Sequence, residues 1–281
     1  MMALVLALLF WLAAWGANVW LANSRWRKTL PVRIAVPLLF GLTLIVLWEG
    51  IVRGLEVSPV ILPAPSTVAQ TFAASTEMLW IDFVQTVVKG AFRGFLIGVA
   101  AALICAILVD RSAFLTRGLL PIGNFFAALP IVGVAPIMVN WFGFDWHSKA
   151  AVVVIMVFFP IFVNTVQGLR ATDALQRDLM RTYAASYTQT LLKLRLPAAM
   201  PFVFNGLKIA TTLALIGAIV AEYFGSPTRG MGFRISTSVG SLSIDVVWAE
   251  VVVAAMVGTV AYGLMAWIER RVTFWHPSHR S

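Results

Sequence analysis

Residues 170–197 read RATDALQRDLMRTYAASYTQTLLKLRLP, a polar and basic stretch between two long apolar segments. The stretch is far longer than the roughly 2–8 residues that usually join packed helices, and a long connection with structure of its own commonly carries function. Apolar or aromatic side chains recur in it at every fourth position: Leu175, Leu179, Tyr183 and Tyr187. This spacing predicts a short amphipathic helix over residues 175–187, with Arg177 and Arg181 on its opposite face.

The composition on both sides of this stretch is that of a membrane protein. The chain has 281 residues, of which 60% are hydrophobic and 12% are charged. A soluble domain averages about 45–50% apolar and about 25% charged residues. The apolar runs approach the roughly 20 residues that a helix needs to cross about 30 Å of hydrocarbon. We therefore predict an all-α fold, a polytopic integral membrane bundle of about seven transmembrane helices.

The first apolar run is predicted to be a retained helix and not a secretory signal peptide. No Lys or Arg precedes it, and Trp11, Trp15 and Trp20 occupy the region where small residues would be needed for cleavage. Pro197 suits the first turn of the helix that leads into the sixth run, because its missing N–H is not needed there. The predicted spans are 2–22, 34–52, 84–109, 118–142, 149–169, 201–222 and 247–267.

The distribution of cations predicts the orientation of these spans. If residues 170–197 face the cytoplasm and the spans alternate outward from them, the N-terminus lies outside and the C-terminus inside. Most of the 21 Lys and Arg residues then fall on the inner side, in the clusters 25–33, 111–117, 170–195 and 270–280. This imbalance agrees with the positive-inside rule. Lys208 lies near the inner end of the sixth span, where snorkelling to the cytoplasm accounts for its charge.

The fourth predicted span is interrupted by Pro121, Pro130 and Pro136, so it should kink or break. Two interpretations stay open. The prolines can be tolerated by packing against neighbouring helices, or the interrupted backbone can line a solute pathway, since non-helical backbone at membrane depth survives where it faces protein or water. The candidate lining residues are Asn124, Pro130, Pro136 and Asn140.

The sequence indicates no catalytic, cofactor or metal site, and the chain is predicted not to be an enzyme. It contains no G-x-x-x-x-G-K-[ST] motif, so ATP-driven transport would need a separate ATPase. Cys105 is the single cysteine, and His147, His276 and His279 form no cluster with thiols or carboxylates. The net charge of +9 does not indicate nucleic-acid binding, because the cations lie between apolar spans and form no continuous stripe.

Several stretches resemble the permeases of ABC importers of the nitrate, sulfonate and taurine type. They are LPAPSTV at 62–68, ALP to NWFG at 128–143, GLKIATTLALIGAIVAEYFG at 206–225 and the loop at 170–197. The loop of that family follows the pattern E-A-A-x-x-x-G-x9-I-x-L-P. Anchored on Pro197, the pattern falls on Asp178, Leu179, Met180, Ala184, Leu194, Leu196 and Pro197. Leu196 and Pro197 match strictly, and Ala184 stands where the pattern has glycine.

The resemblance implies a permease subunit that moves a small solute across the bacterial inner membrane. Residues 170–197 would be a coupling loop that docks in a groove of a cytoplasmic ATPase subunit. The implied anchors are Leu179, Met180, Tyr183 and Tyr187. Further implied partners are a periplasmic substrate-binding protein and a second permease copy, expected as a homodimer.

The related permeases usually lack the first span, which predicts three parts for this chain. Residues 1–33 form an extra transmembrane helix and a basic cytoplasmic loop. Residues 34–270 form the permease domain, and residues 271–281 form a cytoplasmic tail.

Three alternatives remain at this stage. The loop helix can instead lie on the inner leaflet, with its arginines on membrane lipid phosphates. The chain can be a secondary transporter driven by an ion gradient, although that mechanism predicts ionisable residues at mid-membrane and paired broken helices. A membrane scaffold without transport would not need a basic loop of this form.

Overall fold

The computed structural model describes residues 1–112, 114, 115, 118, 122, 125, 130–226 and 228–275. The regular elements within these residues are helices, which confirms the predicted all-α fold. In chain order they are α1 (Met2–Asn23), α2 (Leu30–Gly54), α3 (Pro65–Ala74), α4 (Thr76–Phe83), α5 (Phe92–Asp110), α6 (Ile131–Phe142), α7 (Trp146–Arg170), α8 (Ala174–Thr182), α9 (Tyr187–Thr190), α10 (Leu196–Gly225), α11 (Met231–Gly240) and α12 (Ile244–Val272). Two π-helical segments, Val84–Ala91 and Leu191–Arg195, lead into α5 and α10.

Among the described residues, six helical segments are long and apolar enough to cross a membrane. They are Met2–Asn23, Leu30–Gly54, Thr76–Asp110, Trp146–Arg170, Tyr187–Gly225 and Ile244–Val272. Each contains one of the predicted spans or nearly all of it. The predicted fourth span lies partly outside the described residues, and its described part holds α6, a shorter apolar helix that begins directly after Pro130.

The chain divides into two compact units, of which the first comprises Met1–Leu79 and Thr237–Val251. In this unit α1 and α2 form an antiparallel hairpin. A side chain at Gly50 would collide with Ala7, and one at Gly54 would lie 2.6 Å from the Cβ of Leu4. These glycines therefore allow the two helices to approach closely, as small residues do between membrane helices.

The helix α3 of the same unit is capped by a carboxylate from α2. Glu49 accepts hydrogen bonds from the backbone N–H of Ser66 at 2.9 Å and from its hydroxyl at 2.7 Å, and it also pairs with Arg53. Because the N-cap residue is Ala64, which has no polar side chain, Glu49 takes over the usual role of an N-cap oxygen. Ser66 itself lies inside the first turn of α3.

The second unit comprises Trp80–Ser236 and Val252–Ser281, and its core is built by α5, α7 and α10. Small residues bring these helices together: a side chain at Gly94 would meet Val153 at 2.6 Å, and one at Gly206 would meet the backbone of Ile161 at 3.1 Å. Residues 170–197 connect α7 to α10, two helices of this core. A displacement of this connection therefore acts directly on the centre of the unit.

Candidate coupling site

The first half of the connection folds into α8 because its start carries strong helix signals. Asp173 and Gln176 form a capping box, in which the backbone N–H of Asp173 donates to the side-chain oxygen of Gln176 at 3.2 Å. The guanidinium of Arg177 donates to the carbonyl oxygen of Thr172. These side chains hydrogen-bond to backbone groups at the N-terminal end of α8 and so cap the helix there.

The apolar stripe of α8 contacts no core. Leu175 and Tyr183 are each 76% exposed and Leu179 is 55% exposed, and no residue of α8 is buried. On the other face, Arg181 pairs with Asp178 of the same helix at 3.1 Å. Contiguous apolar side chains left uncovered in this way indicate a docking surface.

The C-terminus of α8 ends in a Schellman motif. The N–H of Ala184 donates to the carbonyl of Arg181 at 2.8 Å, and the N–H of Ala185 donates to that of Met180 at 3.0 Å. Ala184 has a φ of 49°, in the left-handed region that glycine adopts without a steric cost. The geometry therefore gives a physical reason for a glycine at this position of the motif, and shows that alanine occupies it here under strain.

This turn ends the helix earlier than the spacing of apolar residues predicted. The prediction of one helix over 175–187 was wrong at its C-terminal end, because the chain reverses at Ala184 and a new helix starts after Ser186. Ser186 forms a second capping box with Gln189, with donor–acceptor distances of 2.9 and 3.3 Å. The connection therefore contains two short helices separated by a tight turn.

Pro197 does not begin a separate helix. The chain is helical from Tyr187 to Gly225, and Pro197 lies in the first turn of α10 directly after the π-helical segment Leu191–Arg195. Because proline has no N–H, it cannot complete the α-helical hydrogen bond to the carbonyl of Lys193. A π turn at this point is a common way to accommodate such a gap in the hydrogen-bond ladder.

A buried ion pair fixes the second half of the connection to the core. The Arg195 guanidinium donates to both oxygens of Asp110, at 2.7 and 2.6 Å, and its Nε donates to the carbonyl of Leu169 at 2.9 Å. The hydroxyl of Tyr187 also donates to Asp110, at 3.0 Å, while the Arg111 guanidinium lies 5.0 Å from the centre of the Tyr187 ring. The ends of α5 and α7 are thus tied to the start of α10.

The remaining predicted loop residues fall into two groups. Met180 is half-buried and Asp178 is exposed, and both lie on α8. Leu196 is half-buried and packs against a cluster that includes Leu169 and Leu191. Of the candidate anchors, Leu179 and Tyr183 therefore face outward and Met180 does so only in part, whereas Tyr187 and Leu196 contact the body of the chain.

The structure describes three of the four candidate pathway residues. Asn124 lies outside the described residues. Pro130 directly precedes α6, Pro136 lies within it, and Asn140 is exposed in its last turn. The described helix of this region thus starts at a proline, in agreement with the predicted break. Their role as a pathway lining stays a prediction.

A buried polar cluster at the far end of α10 from the loop was not anticipated from the sequence. Glu222 is 1% exposed and accepts hydrogen bonds from the hydroxyl of Thr86 at 2.6 Å and from the N–H of Gly232 at 3.2 Å. Lys149, also 1% exposed, donates to the carbonyl of Gly225 at 2.8 Å. The ammonium group therefore caps the negative end of the α10 dipole.

The same cluster holds the segment that joins α10 to α11. Asp82 is fully buried and accepts from the N–H of Gly230 at 2.7 Å and from the Nε of Arg234 at 2.8 Å. Gly230 has a φ of 114°, and a side chain there would clash with the carboxylate of Glu222. The glycine-rich segment between α10 and α11 is therefore a closely packed part of the unit.

Two further polar contacts link the spans. Lys208 donates to Glu269 at 2.7 Å, with side chains only 18% and 12% exposed, so an ion pair, and not snorkelling alone, accounts for this cation. Asn205 donates to Asn164 at 3.1 Å, joining α10 to α7. Paired or hydrogen-bonded polar groups between membrane helices are the arrangement expected at membrane depth.

Comparisons with known proteins agree with this architecture. Residues 94–274 match the family described as binding-protein-dependent transport system inner membrane component. A Haemophilus influenzae protein named as an ABC transporter permease is 32% identical over 240 residues, which cover 85% of this chain and 97% of the relative. The Bacillus subtilis protein SsuC, named as an aliphatic sulfonates transport permease, is 30% identical over 246 residues, 86% of this chain and 88% of the relative. The formylaminopyrimidine transport permease protein ThiX of Halalkalibacterium halodurans is 28% identical over 239 residues, 85% and 95% of the two chains.

The helical bundle and these matches define a membrane-embedded transport subunit. The chain belongs to the family of binding-protein-dependent transport system inner membrane components. It is a multi-pass permease subunit of an ABC importer in the bacterial inner membrane, as the sequence predicted, and its relatives include proteins named as permeases for aliphatic sulfonates, taurine and bicarbonate. Membership implies an ATPase and a substrate-binding protein as partners. The comparisons give no support to a gradient-driven secondary transporter.

Proposed function

We propose that residues 170–197 are the coupling element through which a separate cytoplasmic ATPase drives this permease. The observation that carries the proposal is the combination of an uncovered apolar stripe on α8 with a buried ion pair, Arg195–Asp110, behind it. The stripe offers a surface for a partner groove, as an amphipathic helix does in helix-in-groove recognition. The ion pair offers a stiff connection from that surface to the spans.

The proposed mechanism is alternating access. ATP binding closes a pair of ATPase subunits, and each carries the α8 surface docked on it. Arg195 transmits this movement to the end of α5 through Asp110 and to the end of α7 through the carbonyl of Leu169. The free energy for the switch comes from the different affinity of the ATPase pair for the two arrangements of the bundle, as any population shift requires.

The complete importer would contain two copies of this chain, two ATPase subunits and a periplasmic binding protein. One permease chain of this size forms half of a pathway, so a homodimer is the simplest assembly. The named relatives differ in their solutes, aliphatic sulfonates in one and a formylaminopyrimidine in another. We therefore assign solute selection to the binding protein. Within the chain, residues 34–270 would form the permease domain and residues 1–33 an addition to it.

Substitution in the apolar stripe tests the docking surface. Leu179→Glu places a carboxylate in the centre of the exposed stripe and should lower co-purification of the ATPase subunit about thirtyfold or more, the effect of losing a binding hot spot of about 2 kcal/mol. Arg181→Glu, on the opposite face of α8, makes a larger change in charge and is the matched control. Unchanged co-purification with Leu179→Glu, or an equal loss with Arg181→Glu, would refute the assigned surface.

A further inference from the structure

The turn between α1 and α2 carries an unusual excess of positive charge. Its cations are Arg25, Arg27, Lys28 and Arg33, and all four are exposed. The first 48 residues of the chain contain no Asp or Glu, so nothing nearby in sequence neutralises them. Within the described structure none of the four forms an ion pair, and Arg25 only lies over the ring of Trp26 at 5.6 Å.

An apolar groove leads from this turn along the hairpin. It has a volume of about 460 Å³ and is lined by α1 and α2, with Trp11, Trp15, Pro37 and Phe40 among its walls. A second concavity, which includes Trp20 and Ser24, continues it up to the turn. The groove and the cations therefore form one surface, apolar along the helices and cationic at the end.

The length of the groove matches half of a bilayer. Its walls on α1 extend from Trp11 to Ala22, which corresponds to about 16 Å at 1.5 Å per residue. The hydrocarbon core is about 30 Å thick, so one leaflet contributes about 15 Å.

We propose that the α1–α2 hairpin is a binding site for one anionic phospholipid. The cations at the turn bind the phosphate headgroup, and one acyl chain lies along the aromatic walls of the groove. Charge complementarity selects an anionic lipid over a zwitterionic one, because four cations without a neighbouring acid attract a net negative headgroup. The groove exposes almost only apolar surface, which fits an acyl chain and would not suit a soluble anion.

Native mass spectrometry of the full chain tests the charge requirement. The purified protein is exposed to equal amounts of phosphatidylglycerol and phosphatidylcholine in mixed micelles. The bound lipid is then identified from the mass of the protein–lipid complex. We expect a preference for phosphatidylglycerol, reduced about 25-fold by Arg25→Gln together with Arg27→Gln, because each cation near an anionic headgroup contributes about fivefold. The matched control is Arg270→Gln with Arg271→Gln, which also removes two cations, one of them 5.3 Å from a tryptophan ring.

Photocrosslinking tests the location. A phosphatidylglycerol with a photoreactive acyl chain should label peptides of α1 and α2, and Val36→Trp, which fills the groove, should lower that labelling. Leu38→Trp, on the exposed side of the same helix, should leave it unchanged. Equal binding of both lipids, equal effects of the two charge variants, or labelling elsewhere would overturn the proposal. So would a protein helix from another chain occupying the groove in membranes.

Discussion

At the scale of single residues, the proposed coupling loop, residues 170–197, depends on a backbone conformation that its sequence does not favour. Ala184 adopts a φ of 49° at the end of α8, where the loop of related permeases has glycine. A left-handed alanine costs about 1 kcal/mol relative to glycine. The turn persists because the Schellman hydrogen bonds to Arg181 and Met180 hold it. The exposed stripe therefore ends in a strained but well-connected turn.

Ala184→Gly should relieve this strain. We expect hydrogen exchange of the amides in the last turn of α8 to slow about fivefold, the equivalent of about 1 kcal/mol. Ala184→Val, with a β-branched side chain at the same φ, should accelerate exchange there. The exchange rates of the amides in α7 serve as an internal control and should not change. Faster exchange in the glycine variant would show that the left-handed backbone conformation of Ala184 does not destabilise this turn.

Residue identities explain which parts of the site could be predicted. The capping residues Asp173 and Gln176 indicate where α8 starts. The spacing of Leu175, Leu179 and Tyr183 predicts its apolar face. The end of α8 could not be predicted from periodicity, because alanine is a good helix former and gives no signal for a left-handed turn. Only the comparison of Ala184 with a glycine in the family pattern could have indicated it.

At the scale of elements, one ion pair joins three helical segments. Arg195 follows the short helix α9, and Asp110 ends α5, with the Asp110 side chain only 2% exposed. The carbonyl of Leu169 near the end of α7 accepts from the same guanidinium. Because a bidentate guanidinium–carboxylate pair has a fixed geometry, it holds the segments in one relative orientation. The connection that carries α8 is thereby fixed to the core by this ion pair, together with the Tyr187 hydrogen bond to Asp110 and the packing of Leu196.

A double-mutant cycle measures the strength of this connection. Arg195→Gln leaves the buried Asp110 carboxylate without its cation and should destabilise the purified chain by about 3–5 kcal/mol. Adding Asp110→Asn to it should recover part of that loss, since the uncompensated charge is then removed. The measurement is the thermal unfolding, in one detergent, of the unmodified protein, the two single variants Arg195→Gln and Asp110→Asn, and the double variant. Strictly additive effects of the two substitutions would exclude a direct interaction between them.

The pairings of charged residues were the part of the site that sequence patterns could not supply. Asp110 and Arg195 are 85 positions apart, and Lys208 and Glu269 are 61 positions apart. Local periodicity contains no information on such pairs, so Lys208 was interpreted as a lone snorkelling cation. The spans themselves were predictable, because length and hydropathy alone define a segment that can cross a bilayer.

At the scale of the whole molecule, the chain is a transport subunit whose sequence contains no G-x-x-x-x-G-K-[ST] motif. Its described helices include six that can span a membrane, and its family is that of binding-protein-dependent transport components. The α1–α2 hairpin, with its cationic turn, has the features of a lipid-binding addition. The apolar surface of α8 has the features of a docking site for an ATPase. The hairpin would bind lipid in one leaflet, and α8 would transmit the movement of the ATPase to the spans.

The most direct test of the coupling proposal is a crosslink at the centre of the α8 stripe in intact membranes. Leu179→Cys is made in a chain whose single native cysteine, Cys105, is replaced by alanine. A reagent with one thiol-reactive end and one photoreactive end, applied to inverted membrane vesicles, should join this position to the ATPase subunit and stop ATP-driven release of solute from the vesicle lumen, while Arg181→Cys should give little of the same product. If Leu179→Cys instead reacts only from the periplasmic side, or forms no product with the ATPase while transport continues, the proposed coupling is wrong.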